Sequence, residues 1–317
     1  MIGYCIRRVA IAVVLIWFVM TLVFALAHLL PGDAVLAMAG ERPEGMSAEQ
    51  RAFRRHELGL DRPLSLQYGE WITRALRADF GVSLSSKRPV LRDVLVRVPR
   101  TVELAAAALV IGLSLGIPAG VISALHRNSR LDVALNGGLV LLGSLPVYIT
   151  GIFLLLVFGL SLGWVPTGGY VDIGDDLGAH LRLMILPSLT LGLWLGAVAA
   201  RMTRHAMLEV LSQDYIRTAF AKGLAGRAVY YGHALRNALI PVVTATGLQI
   251  GALLGGAVLT ETVFTWPGLG SALVSAVLRR DYPVIQGVVV ITVTAFVFTN
   301  LAVDLFVGVL DPRVSRD

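Results

Sequence analysis

Six apolar runs, each long enough to cross a bilayer as a helix, constrain this chain more than any other feature. They are Val9 to Leu30, Leu104 to Leu125, about Leu135 to Leu162, Leu183 to Ala200, Ala238 to about Thr260, and Val284 to Leu310. A hydrocarbon core near 30 Å takes about 20 residues of helix, because each backbone N–H and C=O must be bonded inside its own segment. The predicted fold class is therefore all-α and integral to the membrane, with six transmembrane helices. A mean hydropathy of +0.75 fits that reading. The first run follows Arg7 and Arg8 and spans 22 residues. The apolar part of a secretory signal has about 7–15. It reads as a retained first helix, with a cleaved signal as the other reading.

Charge supplies the orientation. Arg7 and Arg8, Arg127 and Arg130, then Arg201, Arg204, Arg217, Lys222, Arg227 and Arg236, and finally Arg313 and Arg316 all fall on one side of the six runs. The short loops opposite hold only Arg182, Arg279 and Arg280, beside Asp172, Asp175 and Asp176. Excess Lys and Arg marks the cytoplasmic side, so both termini are expected there. The net charge of +6 thus belongs to topology, and no nucleic-acid partner is expected.

The first loop, Pro31 to about Arg100, is long enough to escape the charge rule and to lie outside. It is patterned for folding: Ser47 and Gln50 have the spacing of a capping box, Gly59 closes the helix that follows, and Ser65 to Leu76 is amphipathic. The expected organisation is residues 1–100 as the first transmembrane helix plus an extracytoplasmic cap, and 101–317 as a five-helix core with a cytoplasmic loop at 201–237.

Small residues recur every fourth position at Gly112, Gly116 and Gly120, at Gly192, Gly196 and Ala200, and at Gly247, Gly251 and Gly255. In lipid such rows let backbones approach, so they mark helix packing. They suit a bundle whose helices rock on one another and equally a static one. Pro118, Pro146, Pro187 and Pro241 are candidate kinks. Gln249, Asn136 and Asn300 either line a polar pathway or bond between helices. Glu103, Glu261 and Asp304 lie toward helix ends, and no carboxylate or histidine chain suggests proton coupling.

The sequence has no G-x-x-x-x-G-K-[ST] phosphate loop and no H-E-x-x-H pair, its six histidines are scattered, and its one cysteine, Cys5, allows no intrachain disulfide. No cofactor or metal site is expected in this chain. A chain that moves solute uphill without a nucleotide site must draw energy from a partner.

The loop at 201–237 carries the most information. Asp214, Tyr215, Ile216, Arg217, Thr218, Ala219, Phe220, Ala221, Lys222, Gly223 and Leu224 read as a short amphipathic helix. Asp214 favours its start, Ile216, Ala219, Phe220 and Leu224 share an apolar face, and Gly223 allows a left-handed stop. Such a helix suits docking into a partner's groove or lying on the lipid surface.

With His233 to Pro241 downstream, this stretch resembles the cytoplasmic loop motif of the permeases of ATP-binding-cassette importers, in the dipeptide, oligopeptide and nickel subgroup. Arg217, Thr218 and Ala219 stand where the general motif has Glu-Ala-Ala, and Gly223 falls on its glycine. Leu30 to Asp33, Leu58 to Pro63, Asp79 to Ser83, Glu261 with Phe264 and Pro267 to Gly270, and Asp311 to Arg313 are similar to family segments in order and spacing.

The resemblance implies a type I importer permease in a bacterial inner membrane, non-catalytic itself. It implies a second homologous permease subunit, two ATPase subunits that bind the ATP and magnesium, and an extracytoplasmic solute-binding protein. Asp214 to Leu224 would be the helix seated in the ATPase. Peptides are the implied cargo, with nickel chelates or glutathione as alternatives. Outside the family, an integral membrane enzyme or a channel is the competing class.

Overall fold

The computed structural model describes residues 2–29, 47–57 and 61–310. The Gly59 helix stop, Leu30 to Asp33, Leu58 to Leu60, and the tail with Asp311 to Arg313 and Arg316 lie outside the described residues.

Every named element is helical: α1 (Ile2–Leu29), α2 (Ala48–Glu57), α3 (Leu64–Leu76), α4 (Val90–Leu95), α5 (Val98–Leu125), α6 (Arg130–Ser144), α7 (Val147–Leu154), α8 (Leu177–Leu211), α9 (Asp214–Ala221), α10 (Arg236–Val263), α11 (Leu269–Leu278) and α12 (Tyr282–Leu310). Wider π-helical turns follow α7 at Leu155–Ser161 and precede α10 at Ala228–Leu235. Among the described residues, four helices are long and apolar enough to cross a membrane, or up to six spans if each of two bent pairs counts as one.

The third predicted span is the one most changed. Instead of a continuous helix, α6 and the α7 segment meet at 105°. Pro146 has no N–H to give and disfavours a helical residue before it, and Leu145 accordingly sits in the extended region at ψ 135°. Pro118, Pro187 and Pro241 lie within α5, α8 and α10, which continue through them. The fourth predicted span, Leu183 to Ala200, is also longer than expected. As α8 it runs 35 residues, so Arg201 and Arg204, assigned above to a loop, are helical.

The contacts divide the chain into two compact units, residues 1–101 with 267–301, and residues 102–266 with 302–317. In the first, the capping box forms as the spacing predicts: the Ser47 N–H donates to Gln50 Oε1 at 3.0 Å and the Gln50 N–H to Ser47 Oγ at 3.2 Å. The amphipathic α3 packs between the first and last long helices. Met20, Ala75 and Val290 form its core with Trp71 and Ile72, and Trp71 Nε1 donates to Gln286 Oε1 at 3.2 Å. The buried Asp281 accepts from Ser83 Oγ at 2.6 Å and from the N–H groups of Leu84 and Ser85 at 3.1 Å, which fixes the turn after α3.

In the second unit two predicted rows of small residues face each other. A Cβ built on Gly112 would lie 3.0 Å from the Gly192 oxygen, and one on Gly120 would lie 2.5 Å from the Ala200 oxygen. Each fourth-residue step keeps the α5 and α8 backbones in contact, the close approach that small residues permit.

Candidate functional site

α9 is short, and its local sequence decides both ends. Gln213 precedes it in extended conformation without a side-chain cap, and Asp214 is its first helical residue, one place later than a capping role would require. There a carboxylate still favours the positive end of the helix. Arg217 Nη1 lies 3.6 Å from Asp214 Oδ1, with both side chains open to solvent. A pair so exposed adds little stability.

The far end is a Schellman stop. Gly223 sits at φ +78°, its N–H donates to the Phe220 oxygen at 2.9 Å, and the Leu224 N–H donates to the Ala219 oxygen at 3.3 Å. This is the paired closure of a helix with a left-handed residue just past its end. A Cβ on Gly223 would meet nothing within 4 Å, so glycine is favoured there by backbone conformation rather than by space.

Ile216 and Ala219 are the buried residues of the helix, set in a cluster with Val121 and Ala124 of α5, Ala206 and Met207 of α8, and Val229, Ala234, Ala238 and Val242. Phe220 and Leu224 do not share that face. Both are 42% exposed, as Tyr215 is at 43%. The predicted apolar arc is thus split, one side anchored and the other presented outward. Phe220 rests edge-on against Tyr230, with ring centroids 5.9 Å apart. Asn237 Nδ2 donates to Tyr215 Oη at 2.9 Å, tying the helix to the start of α10. Arg217, Thr218, Lys222 and Gly223 are exposed. The result is a rigidly backed patch of aromatic, aliphatic and basic groups.

Behind this platform lies a charge pair that the sequence reading missed. Arg204 of α8 donates to Asp132 of α6 from Nε at 3.0 Å and from Nη2 at 2.9 Å. Asp132 is 3% exposed and also accepts from Ser123 Oγ, from Asn136 Nδ2 at 2.6 Å and from the Asn128 N–H at 3.0 Å. Asn136 Nδ2 also donates to Ser123 Oγ of α5 at 3.1 Å, an interhelical bond of the kind expected as one of its two roles. Two signals were available in the sequence. Ser129 caps α6 by accepting from the Asp132 N–H at 3.1 Å, a local Ser-x-x-Asp pattern. Arg204 also continues the fourth-residue row of Gly192, Gly196 and Ala200, which aims it at the same interface.

The third predicted row behaves differently. A Cβ on Gly247 would stand 2.7 Å from Val303 Cγ1, Gly251 is buried, and Gly255 has nothing within 4 Å and is exposed. Gln249 is half-buried on the same helix. At the opposite end of this unit, His180 lies buried on α8 with Nδ1 2.7 Å from the Val171 oxygen, which makes Nδ1 the protonated nitrogen. Its Nε2 is 3.9 Å from Glu103 Oε2, and Tyr170 and Trp266 pack edge-on around it. Glu261, expected toward a helix end, lies in the last turn of α10 and is fully buried.

Comparisons with known proteins agree with this architecture. Residues 116–316 match the family described as binding-protein-dependent transport system inner membrane component, and residues 1–105 match the N-terminal part of such components. The chain is 41% identical to the di/tripeptide transport system permease protein DppB of Pseudomonas aeruginosa, over 100% of this chain and 99% of that protein. It is 41% identical to the dipeptide transport system permease protein DppB of Escherichia coli K12, with the same coverage. It is 42% identical to the glutathione transport system permease protein GsiC of Shigella flexneri, over 99% of both chains. The multi-pass chain described here belongs to the inner-membrane components of binding-protein-dependent transport systems, the permease subunits of ATP-binding-cassette importers.

Proposed function

We propose that this chain forms half of the translocation pathway of a bacterial importer of di- and oligopeptides, and that α9 is the helix through which ATPase subunits drive it. The chain is non-catalytic in this reading and binds no cofactor. Two partner ATPase subunits bind and hydrolyse ATP, a second homologous permease completes the pathway, and an extracytoplasmic binding protein delivers the solute. Both termini lie in the cytoplasm, on the side where Lys and Arg are concentrated.

The observation that carries this reading is the split face of α9. Ile216 and Ala219 anchor it to α5 and α8, while Tyr215, Phe220 and Leu224 remain outward on a soluble-length helix between two apolar spans. Exposed aromatic and aliphatic groups beside Arg217 and Lys222 suit a groove in a protein partner. For energy to flow, that partner must grip the helix differently in its two nucleotide states, since equal grip shifts no equilibrium.

Peptides are the cargo favoured by the two DppB relatives. The 42% identity to a glutathione permease supports glutathione as a second reading. The test is to purify the tagged chain from its own cells and assay for a bound ATPase, in wild type and with Phe220→Asp plus Leu224→Asp. Wild type should retain the ATPase and the double variant should lose it; an ATPase held equally by both would overturn the assignment of α9. Uptake of labelled dipeptide against labelled glutathione in a strain lacking the chain separates the two cargoes.

A further inference from the structure

We propose that Asp132 and Arg204 are positioning residues that make α6 move with the coupling helix, so that the displacement imposed on α9 reaches the membrane segment beyond Pro146. This rests on the assignment of α9 made above and extends it from the docking surface to the route by which movement leaves it.

α9 is seated on the ends of α5 and α8 through Ile216 and Ala219. Those two helices touch backbone to backbone one turn away. A Cβ on Gly120 would lie 2.5 Å from the Ala200 oxygen and 3.1 Å from the Arg204 nitrogen, so the two backbones are in direct contact there. α5, α8 and α9 are thus one body at this end. α6 joins that body by the short turn at His126 to Ser129 and by the Asp132 carboxylate.

The carboxylate is unusually well held. Its Oδ1 takes Arg204 Nε, Ser123 Oγ and Asn136 Nδ2, and its Oδ2 takes Arg204 Nη2 and the Asn128 N–H. Donors from α5, from the turn, from α6 and from α8 therefore converge on one side chain. A bidentate guanidinium–carboxylate pair fixes angle as well as distance. Buried ion pairs are weak evidence for stability in themselves, so orientation is the property such a pair best supplies. Twelve residues on, α6 ends at Ser144, and the chain turns by 105° into α7. A helix clamped at its start acts as a lever: it follows α8 at that end and carries the displacement to the turn at Pro146, where the chain enters α7.

The experiment uses the complete importer, with its ATPases and binding protein, in lipid nanodiscs and proteoliposomes. Spin labels at Val133 on α6 and at Gln213, immediately before α9, both exposed, report the distance between the two helices. In the wild-type background it should stay constant between the nucleotide-free and ATP-bound states. In Asp132→Asn and in Arg204→Lys it should broaden, and solute taken up per ATP hydrolysed should fall about five- to tenfold, the scale of a typical coupling free energy. A merely structural pair would lower the yield of complex without changing that ratio.

A wild-type distance that changes with nucleotide overturns the proposal even if neither variant assembles, and so does an unchanged transport ratio in either variant that does. Failure of the α9 assignment reads differently. The ATPase would stay bound after Phe220→Asp plus Leu224→Asp, whatever the distance between Val133 and Gln213.

Discussion

A Cβ built on Gly116 would stand 2.5 Å from the carbonyl oxygen of Gly196 and 2.9 Å from the Ala199 Cβ. No side chain can enter that space without pushing α5 off α8, because the obstacle is backbone. Gly116→Ala should therefore destabilise the second unit by about 1–3 kcal/mol, the usual range for forcing extra atoms into a filled site. Gly137→Ala, where nothing lies within 4 Å of a helix-interior position, is the matched control and should be neutral to slightly stabilising, since alanine is the better helix former. Thermal unfolding of the two variants in one detergent measures the difference, and equal melting temperatures would contradict the packing described here.

Gly223 tests conformation instead of space. Its surroundings are open, so a larger side chain meets no neighbour, but its φ of +78° costs a β-branched residue about 1–2 kcal/mol. Gly223→Val should open the last turn of α9, lose the Leu224 N–H bond to Ala219, and reduce uptake while leaving the protein in the membrane. Gly223→Asn, whose side chain tolerates the left-handed region, should stay near wild type. Hydrogen exchange over residues 219–224 and uptake assays on the same cells check both points. Equal behaviour of Val and Asn would show that the left-handed stop is not what matters.

How much of this was legible beforehand depends on how local the cause is. The Ser47 and Gln50 capping box and the Gly223 stop are set within a few residues, and the sequence shows both. The small-residue rows show which helix face packs but not against what. Pairing of the Gly112 row with the Gly192 row, while Gly255 faces open space, is decided by tertiary placement. The α9 arc has the same limit: helical spacing groups Ile216, Ala219, Phe220 and Leu224, and only the position of α5 and α8 selects the first two for burial. Proline carries a similar ambiguity. Pro146 breaks its span and Pro118 does not, although both stand in apolar runs and nothing local separates the two. Asp132 and Arg204 lie 72 residues apart, and joining them needed the recognition that Arg204 extends a packing row.

In the first unit, Asp281 holds the turn at Ser83 to Ser85 by three hydrogen bonds. Asp281→Ala removes a charged acceptor and leaves those donors to compete for water, a loss of about 1.5–3 kcal/mol. Ser83→Ala removes one donor and should cost about 1 kcal/mol. Limited proteolysis between Ser83 and Pro89 should show faster cutting in the order wild type, Ser83→Ala, Asp281→Ala. A turn equally resistant in all three would mean that it is held by its own backbone bonds instead.

Asp79, outside the spans, gives a pH dependence that can be read from its partners. The Arg74 guanidinium, donating from Nε at 3.0 Å, holds its carboxyl below the usual carboxylate range, and the Gly81 N–H adds to this while partial desolvation opposes it. A folded-state value below the unfolded one means that the ionised group favours the fold. The stabilisation is therefore fully present above the ordinary value of 3.8 and is lost as pH falls through the lower folded value. Both side chains are more than half exposed, so water and salt screen the pair and the effect is small. Protection of the Gly81 amide, corrected for intrinsic exchange, should be level from about pH 5 to 8 and decline only in stronger acid. In Asp79→Asn the acid-dependent decline should vanish, because no proton can then be taken up at that site. A decline of equal depth in the variant would assign the acid sensitivity of this turn to another carboxylate.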